Sequence, residues 1–163
     1  MADKKGFKSG FVAIIGRPNV GKSTVLNRLV GEKVAIVTQK PETTRNKIQG
    51  ILTRPEAQVI FIDTPGIHKP KNLLGKQITQ VAKNVLLEVD LIVFILDVTK
   101  GITPEDIIIF NLVKAAKKPA ILLINKIDLR SKSLVLPLME DGARLYDFRE
   151  IIPTSAANGD NMD

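Results

Sequence analysis

The sequence Gly16-Arg17-Pro18-Asn19-Val20-Gly21-Lys22-Ser23 fits the phosphate-loop pattern G-x-x-x-x-G-K-[ST] and is the strongest indication of the fold. The apolar residues 11–15 before it are typical of a buried strand, and residues 24–30 after it have helical spacing. A strand, a glycine-rich turn and a helix start point backbone N–H groups and the helix dipole at one spot. Lys22 adds a full charge for the outer phosphates, and the Ser23 hydroxyl can ligate magnesium. The expected nucleotide contacts in this stretch are Asn19, Val20, Gly21, Lys22, Ser23 and Thr24.

Three further polar motifs follow strand-like apolar runs. They are Asp63-Thr64-Pro65-Gly66 after residues 59–62, Asn125-Lys126-Ile127-Asp128 after residues 120–124, and Ser155-Ala156-Ala157 shortly after residues 151–152. Parallel α/β folds bind ligands at the carboxyl ends of their strands. We therefore expect all four motifs to converge on one crevice.

Strand-like runs alternate with helical patterns along the chain, which is typical of a parallel sheet covered on both faces. We predict a three-layer P-loop NTPase fold with a mostly parallel six-stranded sheet. The predicted strands are 11–15, 48–53, 57–62, 91–97, 120–124 and 149–153, and the predicted helices are 22–30, 75–88, 104–117 and 133–146. The short turn at 54–56 predicts one antiparallel hairpin. Residues 32–46 and 66–74 flank the phosphate site, where we expect them to sense a third phosphate.

Composition places the chain among ordinary globular domains. It has 163 residues, of which 44% are hydrophobic and 25% charged, so one domain with a substantial core is expected. The absence of cysteine excludes disulfides and thiolate metal sites. The apolar run before Gly16 is too short for a signal peptide or a membrane span, so we expect a cytoplasmic location.

The formal net charge is +7, from 24 basic and 17 acidic residues. Such a charge allows contact with RNA or with an acidic surface such as the inner membrane face. The basic residues are dispersed and aromatic residues make up only 4% of the chain, which favours lysines solvated over the surface. Peripheral membrane association therefore stays an alternative, and the domain is expected to be monomeric.

Asp128 indicates which base is bound. A carboxylate accepts two hydrogen bonds, which suits the N1–H and 2-amino donors of guanine, whereas adenine would leave it desolvated and unpaired. Asn125 can tie this loop to the phosphate loop, and the Lys126 stem can lie along the base. The Ala156 backbone N–H is expected to meet the guanine 6-oxo group, with Ser155 and Ala157 beside it.

A magnesium ion is expected next to the phosphates. Asp63 ends a strand there and can hold the ion directly or through water, together with Ser23. Gly66 lacks a Cβ and can bring its N–H close to the γ-phosphate. A hydroxyl of Thr43 or Thr44 is expected to complete the magnesium shell.

With these residues assembled, the chain resembles the translation-factor-class GTPases of the TrmE–Era–Der group, and most closely the GTPase domain of the Era family. The resemblance rests on residues 16–23, on Thr-Thr-Arg at 43–45 and on Asp-Thr-Pro-Gly-Ile-His-Lys-Pro-Lys at 63–71. It covers residues 10–163, which we take as the GTPase domain after a tail at 1–9. It implies Thr44 as the magnesium ligand and a potassium ion bound partly by Asn19.

The family also carries a C-terminal KH domain that binds the 3′ end of small-subunit ribosomal RNA during ribosome assembly. The resemblance therefore implies a GTP-hydrolysing switch in small-subunit assembly, with GTP/GDP, Mg²⁺ and K⁺ as ligands. The RNA-binding helix pair of that domain has no room after Asp163, and crossover logic predicts one more helix over the last strand. We therefore expect the chain to be a fragment.

Hydrolysis is expected to use Lys22, Thr44, Gly66 and Asn19. Ras-like enzymes place a water-orienting glutamine after the Asp-x-x-Gly glycine, but Ile67 stands here, so intrinsic hydrolysis should be slow. Three alternatives remain. They are a nucleotide-gated binding module with negligible hydrolysis, a P-loop kinase for a small molecule, and another GTPase of the same group.

Overall fold

The computed structural model describes residues 6–31, 48–64 and 73–163. The strands are β1 (Lys8–Ile15), β2 (Ile48–Arg54), β3 (Ala57–Asp63), β4 (Leu91–Asp97), β5 (Ala120–Asn125) and β6 (Glu150–Pro153). The α-helices are α1 (Lys22–Val30), α2 (Leu73–Glu88), α3 (Pro104–Ala116) and α4 (Lys132–Leu145), with one 3₁₀ turn at Ile127–Leu129. Within these ranges, no helix combines the length and apolar content needed to cross a membrane.

The strands form one sheet in the order β2-β3-β1-β4-β5-β6. Only the β2–β3 pair is antiparallel, so both the mostly parallel sheet and the predicted hairpin are confirmed. The register places Ile14 opposite Asp63 and Asp97 opposite Asn125. The polar residues at these carboxyl ends therefore lie along one edge of the sheet, as expected for a ligand crevice.

The largest difference from the predicted boundaries is at the start of β1. The strand begins at Lys8 rather than at residue 11, because residues 8–10 pair with residues 57–59 of β3. The segment Lys8-Ser9-Gly10 has no apolar side chain, so only this pairing makes it a strand. It also means that the structured domain reaches into the predicted tail at 1–9. The other predicted boundaries differ from the observed ones by at most two residues.

Helices pack on both faces of the sheet, as predicted. Helices α2, α3 and α4 bury apolar side chains against the face of the sheet that carries the fully buried Phe94. The ring of Phe94 packs edge-on against the ring of Phe110, with centroids 4.8 Å apart. On the other face, Val25 and Leu26 of helix α1 pack against strand residues such as Ile14. These two apolar layers fix the phosphate loop between β1 and α1.

Candidate nucleotide-binding site

The phosphate loop connects β1 to α1 through a backbone that needs positive φ angles. Asn19 has φ 64° and Gly21 has φ 102°. A Cβ on Gly21 would also overlap the Asn125 side-chain amide nitrogen. Glycine therefore meets two demands at position 21, a left-handed backbone and close approach of a neighbouring loop.

Lys22 folds its side chain back over the loop. Its Nζ donates to the carbonyl oxygens of Gly16 and Arg17, both at 2.9 Å. Burial lowers the pKa of Lys22, Asp63 partly offsets this by raising that pKa, and the Arg17 charge lowers it again. The ammonium thus lies inside the loop and within electrostatic reach of Asp63.

Arg17 joins the phosphate loop to helix α3, a contact that the sequence analysis missed. Its Nε donates to both carboxylate oxygens of the fully buried Asp106, at 3.2 and 3.0 Å. Asp106 is also the N3 residue of a capping box with Thr103, whose N–H donates to Asp106 Oδ2 at 2.9 Å. The sequence does show an acid in the first turn of α3. It does not show that the partner of this acid is an arginine 89 residues away.

Asn125 ties three loops together from a buried position. Its Nδ2 donates to Val20 O at 2.9 Å, and its Oδ1 accepts from the Ala156 N–H at 3.0 Å. Each end of the amide therefore has one partner, and the two partners belong to the phosphate loop and to the loop after β6. The predicted tie between Asn125 and the phosphate loop is present.

Lys126 crosses from the loop after β5 to the phosphate loop. Its Nζ donates to Asn19 O at 2.6 Å and to Asp97 Oδ2 at 2.7 Å. The Thr99 backbone N–H and hydroxyl donate to Asp97 Oδ1 at 2.8 and 2.6 Å. Burial acts to raise the pKa of Asp97, but the bonds from Lys126 and Thr99 outweigh it and hold that pKa below its usual value. Asp97 was missed, although an acid at the end of an apolar strand was the same signal that marked Asp63.

We expect Asp97→Asn to lower the free energy of unfolding by about 1–3 kcal/mol at neutral pH, because the Lys126 ammonium loses its buried counter-charge. The folded-state pKa of Asp97 is depressed, so its stabilisation is complete above the unfolded value and is lost as pH falls through the folded value. The difference between wild type and variant should therefore shrink below about pH 4. Urea unfolding followed by circular dichroism at neutral and acid pH measures it.

The control for this experiment is Glu140→Gln, which removes an exposed ion pair with Arg144 whose atoms are 3.9 Å apart. That change should cost less than about 0.5 kcal/mol at either pH. A stability difference for Asp97→Asn that stays constant or grows in acid would contradict the role given to this carboxylate.

Asp128 is exposed and oriented by the loop after β6. Ser155 Oγ donates to Asp128 Oδ1 at 2.6 Å. The Asn158 N–H donates to the same hydroxyl at 3.2 Å, so the hydroxyl hydrogen has to point at the carboxylate. Ser155 is therefore the residue that sets the orientation of the predicted base-reading acid.

The Ala156 N–H has a different hydrogen-bond acceptor from the expected one. It donates to Asn125 Oδ1 at 3.0 Å within the protein, whereas the sequence analysis assigned it to the guanine 6-oxo group. A backbone N–H can be shared between two acceptors. A guanine 6-oxo group bound at this position would have to share this donor with the amide oxygen or displace that oxygen.

Asp63 lies at the carboxyl end of β3, and its Oδ1 accepts from Gln49 Nε2 at 2.7 Å. Gln49 stands where the β2–β3 register shifts, so an irregularity in the edge strand aims its amide at the acid. In the described ranges, no three His, Cys, Asp or Glu residues gather into a metal cluster. A metal ion at this position would be held by the Asp63 carboxylate together with hydroxyl and phosphate oxygens. Such an all-oxygen set of donors fits magnesium.

The described residues contain most of the predicted site. Ser23 and Thr24 are exposed in the first turn of α1, and Ala157 lies in the loop after β6. Thr43, Thr44 and Gly66 fall outside the described ranges, as does Ile67. The predicted site residues that hydrogen bonds or charge bring together here are Asn19, Val20, Lys22, Asp63, Asn125, Lys126, Asp128, Ser155 and Ala156.

A six-stranded sheet with this phosphate loop and an Asn-Lys-x-Asp loop on the same edge defines a P-loop GTPase architecture. The chain matches the family described as "50S ribosome-binding GTPase" over residues 11–126, and it belongs to this family.

Similarity to Era proteins is found in sequence and in structure. GTPase Era of Staphylococcus epidermidis is 53% identical over 156 residues, covering 96% of this chain and 52% of that protein. A crystal structure of Era in complex with MgGDPNP and nucleotides 1506–1542 of 16S ribosomal RNA has a TM-score of 0.80 at 46% identity, covering 96% of this chain and 54% of that one. A variant of Aquifex aeolicus Era bound to GDP·AlF4⁻ has a TM-score of 0.79 at 45% identity, with the same two shares of 96% and 54%. The resemblance to Era is confirmed, and the chain spans about half the length of these relatives.

Proposed function

We propose that this domain binds GTP with magnesium and hydrolyses it slowly, as a molecular switch. The observation that carries the proposal is the pair of hydrogen bonds from the Asn125 side-chain amide to Val20 and Ala156, since they join the phosphate loop to the loop after β6. Next to it, Ser155 Oγ donates to Asp128 Oδ1 and so fixes the carboxylate that we propose reads the base. Guanine offers the two donors that this carboxylate accepts, and adenine does not.

The phosphate end of the nucleotide would lie against the N–H groups of residues 19–24 at the start of α1. Lys22 is proposed to provide the charge for the outer phosphates, and Gly66, which lies outside the described residues, is proposed to donate its backbone N–H to the γ-phosphate. Ser23, Asp63 and Thr44 are the residues proposed to hold magnesium, with Thr43 as the second choice for the threonine. Magnesium held by these residues would supply positive charge that offsets the negative charge growing on the phosphate oxygens.

Hydrolysis requires an oriented water and a cation near the transferred phosphoryl group. Ile67 cannot hydrogen-bond a water, so we propose that the intrinsic rate is low and that a potassium ion bound partly by Asn19 supports it. The αL backbone of Asn19 and the bond from Lys126 to its carbonyl hold this residue at the site. Asn19→Gly removes the amide while keeping a residue that accepts positive φ.

Single-turnover decay of GTP, with protein in excess over nucleotide and magnesium present, tests the enzyme assignment. We expect measurable decay, a faster rate in potassium than in sodium, and loss of that difference in Asn19→Gly with GTP still bound. Equal rates in both salts would contradict the potassium role. Tight GTP binding without decay would instead favour a nucleotide-gated binding module.

For the full-length protein we propose a role in small ribosomal subunit assembly and 16S rRNA maturation. The support is the similarity to Era proteins, one of which was crystallised with MgGDPNP and nucleotides 1506–1542 of 16S ribosomal RNA. Because this chain covers about half of those relatives, the proposal assigns it the nucleotide switch and leaves rRNA binding to the whole protein. We further propose that this domain is monomeric and cytoplasmic, with peripheral contact to the inner membrane face as the alternative location.

A further inference from the structure

Arg28 reaches from helix α1 to the loop after β6. Its Nε donates to Ala156 O at 3.1 Å, and its Nη2 donates to Ala157 O at 2.6 Å. Its guanidinium carbon lies 3.5 Å from where a Cβ on Gly159 would stand, so the guanidinium lies beside the turn that follows. These bonds join residues that are 128 and 129 positions apart in the chain.

The guanidinium geometry suits this pair of carbonyls. Its N–H groups form a rigid fork, and two charge-assisted bonds to successive carbonyl oxygens fix the orientation of both peptide planes. Two other bonds of the same loop lead toward the predicted base site, because Ser155 donates to Asp128 and the Ala156 N–H donates to Asn125. Arg28 therefore holds the carbonyl groups of the same loop whose Ser155 side chain orients Asp128.

Helix α1 begins at Lys22, so the element that holds the phosphates also carries Arg28. We propose that Arg28 is a positioning residue for guanine recognition, because it fixes the 155–157 loop to the helix that starts in the phosphate loop. This inference rests on the proposed GTP binding. Arg28 contacts no base itself and acts through Ala156, Ala157 and the Ser155–Asp128 bond.

The test compares Arg28→Ala, the conservative Arg28→Lys and the control Arg144→Ala in the 163-residue chain. Arg144 is 74% exposed and pairs only across turns of α4 among the described residues, so its removal makes the same charge change away from the site. Calorimetry with GTP, GDP and inosine triphosphate, which lacks the 2-amino group, gives the affinities. Thermal unfolding without nucleotide gives the stability of each variant.

Arg28→Ala should weaken GTP and GDP binding by the same factor of about ten, because two charge-assisted bonds that order the loop are lost. Its preference for GTP over inosine triphosphate should fall, since the loop no longer orients Asp128 through Ser155. Arg28→Lys should recover part of both losses, and Arg144→Ala should match the wild type. A purely structural arginine would lower the unfolding temperature and leave the base preference unchanged.

Wild-type affinities and base preference in Arg28→Ala would overturn the inference while leaving the proposed function intact. A larger loss for GTP than for GDP would also overturn it, because the effect would then belong to the phosphates. If Arg28→Ala does not fold, Arg28→Gln is judged by the same criteria. A wild-type protein that binds no GTP would overturn the proposed function and this inference together.

Discussion

Asp128→Asn is expected to change the base preference of the site from guanine to xanthine. The Ser155 hydroxyl is a fixed donor to Asp128 Oδ1, so in the variant the amide oxygen keeps that bond and the amide nitrogen takes the other carboxylate position. That nitrogen donates to the 2-oxo group of xanthine and repels the 2-amino group of guanine. GTP affinity should fall by about 100-fold, and xanthosine triphosphate should become the tighter ligand.

Titration of both nucleotides into wild type, Asp128→Asn and Asp141→Asn measures this change. Asp141 is an exposed acid of helix α4 whose carboxylate lies 3.6 Å from Arg144. Asp141→Asn therefore replaces the same residue type and removes the same charge, but away from the site. Asp141→Asn should keep the wild-type preference. If Asp128→Asn still selected GTP, the assignment of Asp128 as the base-reading residue would be wrong.

Gly21→Ala is expected to remove nucleotide binding. The alanine would have to adopt φ near 102°, and its Cβ would overlap the amide of the buried Asn125. Asn125 can move away only by giving up its bonds to Val20 and Ala156, which join the phosphate loop to the loop after β6. We expect a loss of about 2–4 kcal/mol in the free energy of unfolding and at least about a 100-fold loss of GTP affinity.

Gly31 provides the matched control because it also has a positive φ, 76°, and none of the residues that the structure describes lies within 4 Å of its would-be Cβ. Gly31→Ala should lose stability from backbone strain by about 1–3 kcal/mol and keep its GTP affinity. Denaturant unfolding and nucleotide titration of both variants separate strain from overlap. Equal GTP affinities in the two variants would show that contact between Gly21 and Asn125 does not matter for the site.

The sheet and the location of the site were predictable because both follow from local patterns. Apolar runs marked the six strands, and the rule that ligands bind at carboxyl ends of parallel strands placed the four motifs together. The start of β1 was not predictable in this way, because Lys8-Ser9-Gly10 becomes a strand only by pairing with β3. Local sequence does not encode a partner strand.

Most of the contacts that hold the loops together could not be predicted from the sequence. The bonds from Arg17 to Asp106 and from Arg28 to the carbonyls of residues 156 and 157 join distant positions, and an isolated arginine gives no sign of its acceptor. The use of the Ala156 N–H by Asn125 also depends on the folded spacing of two loops. Asp97 is the exception, since its place at the end of β4 was visible in the sequence.

We propose above that the loops at one edge of this sheet select a guanine nucleotide. Competition between GTP and ATP for the magnesium-loaded protein tests it most directly, with a fluorescent GTP analogue as the displaced ligand. We expect GTP to displace the analogue at a concentration at least about 100-fold lower than ATP does, because adenine leaves the Asp128 carboxylate without donors. Displacement by ATP at the same concentration as GTP, or by neither nucleotide, would contradict it.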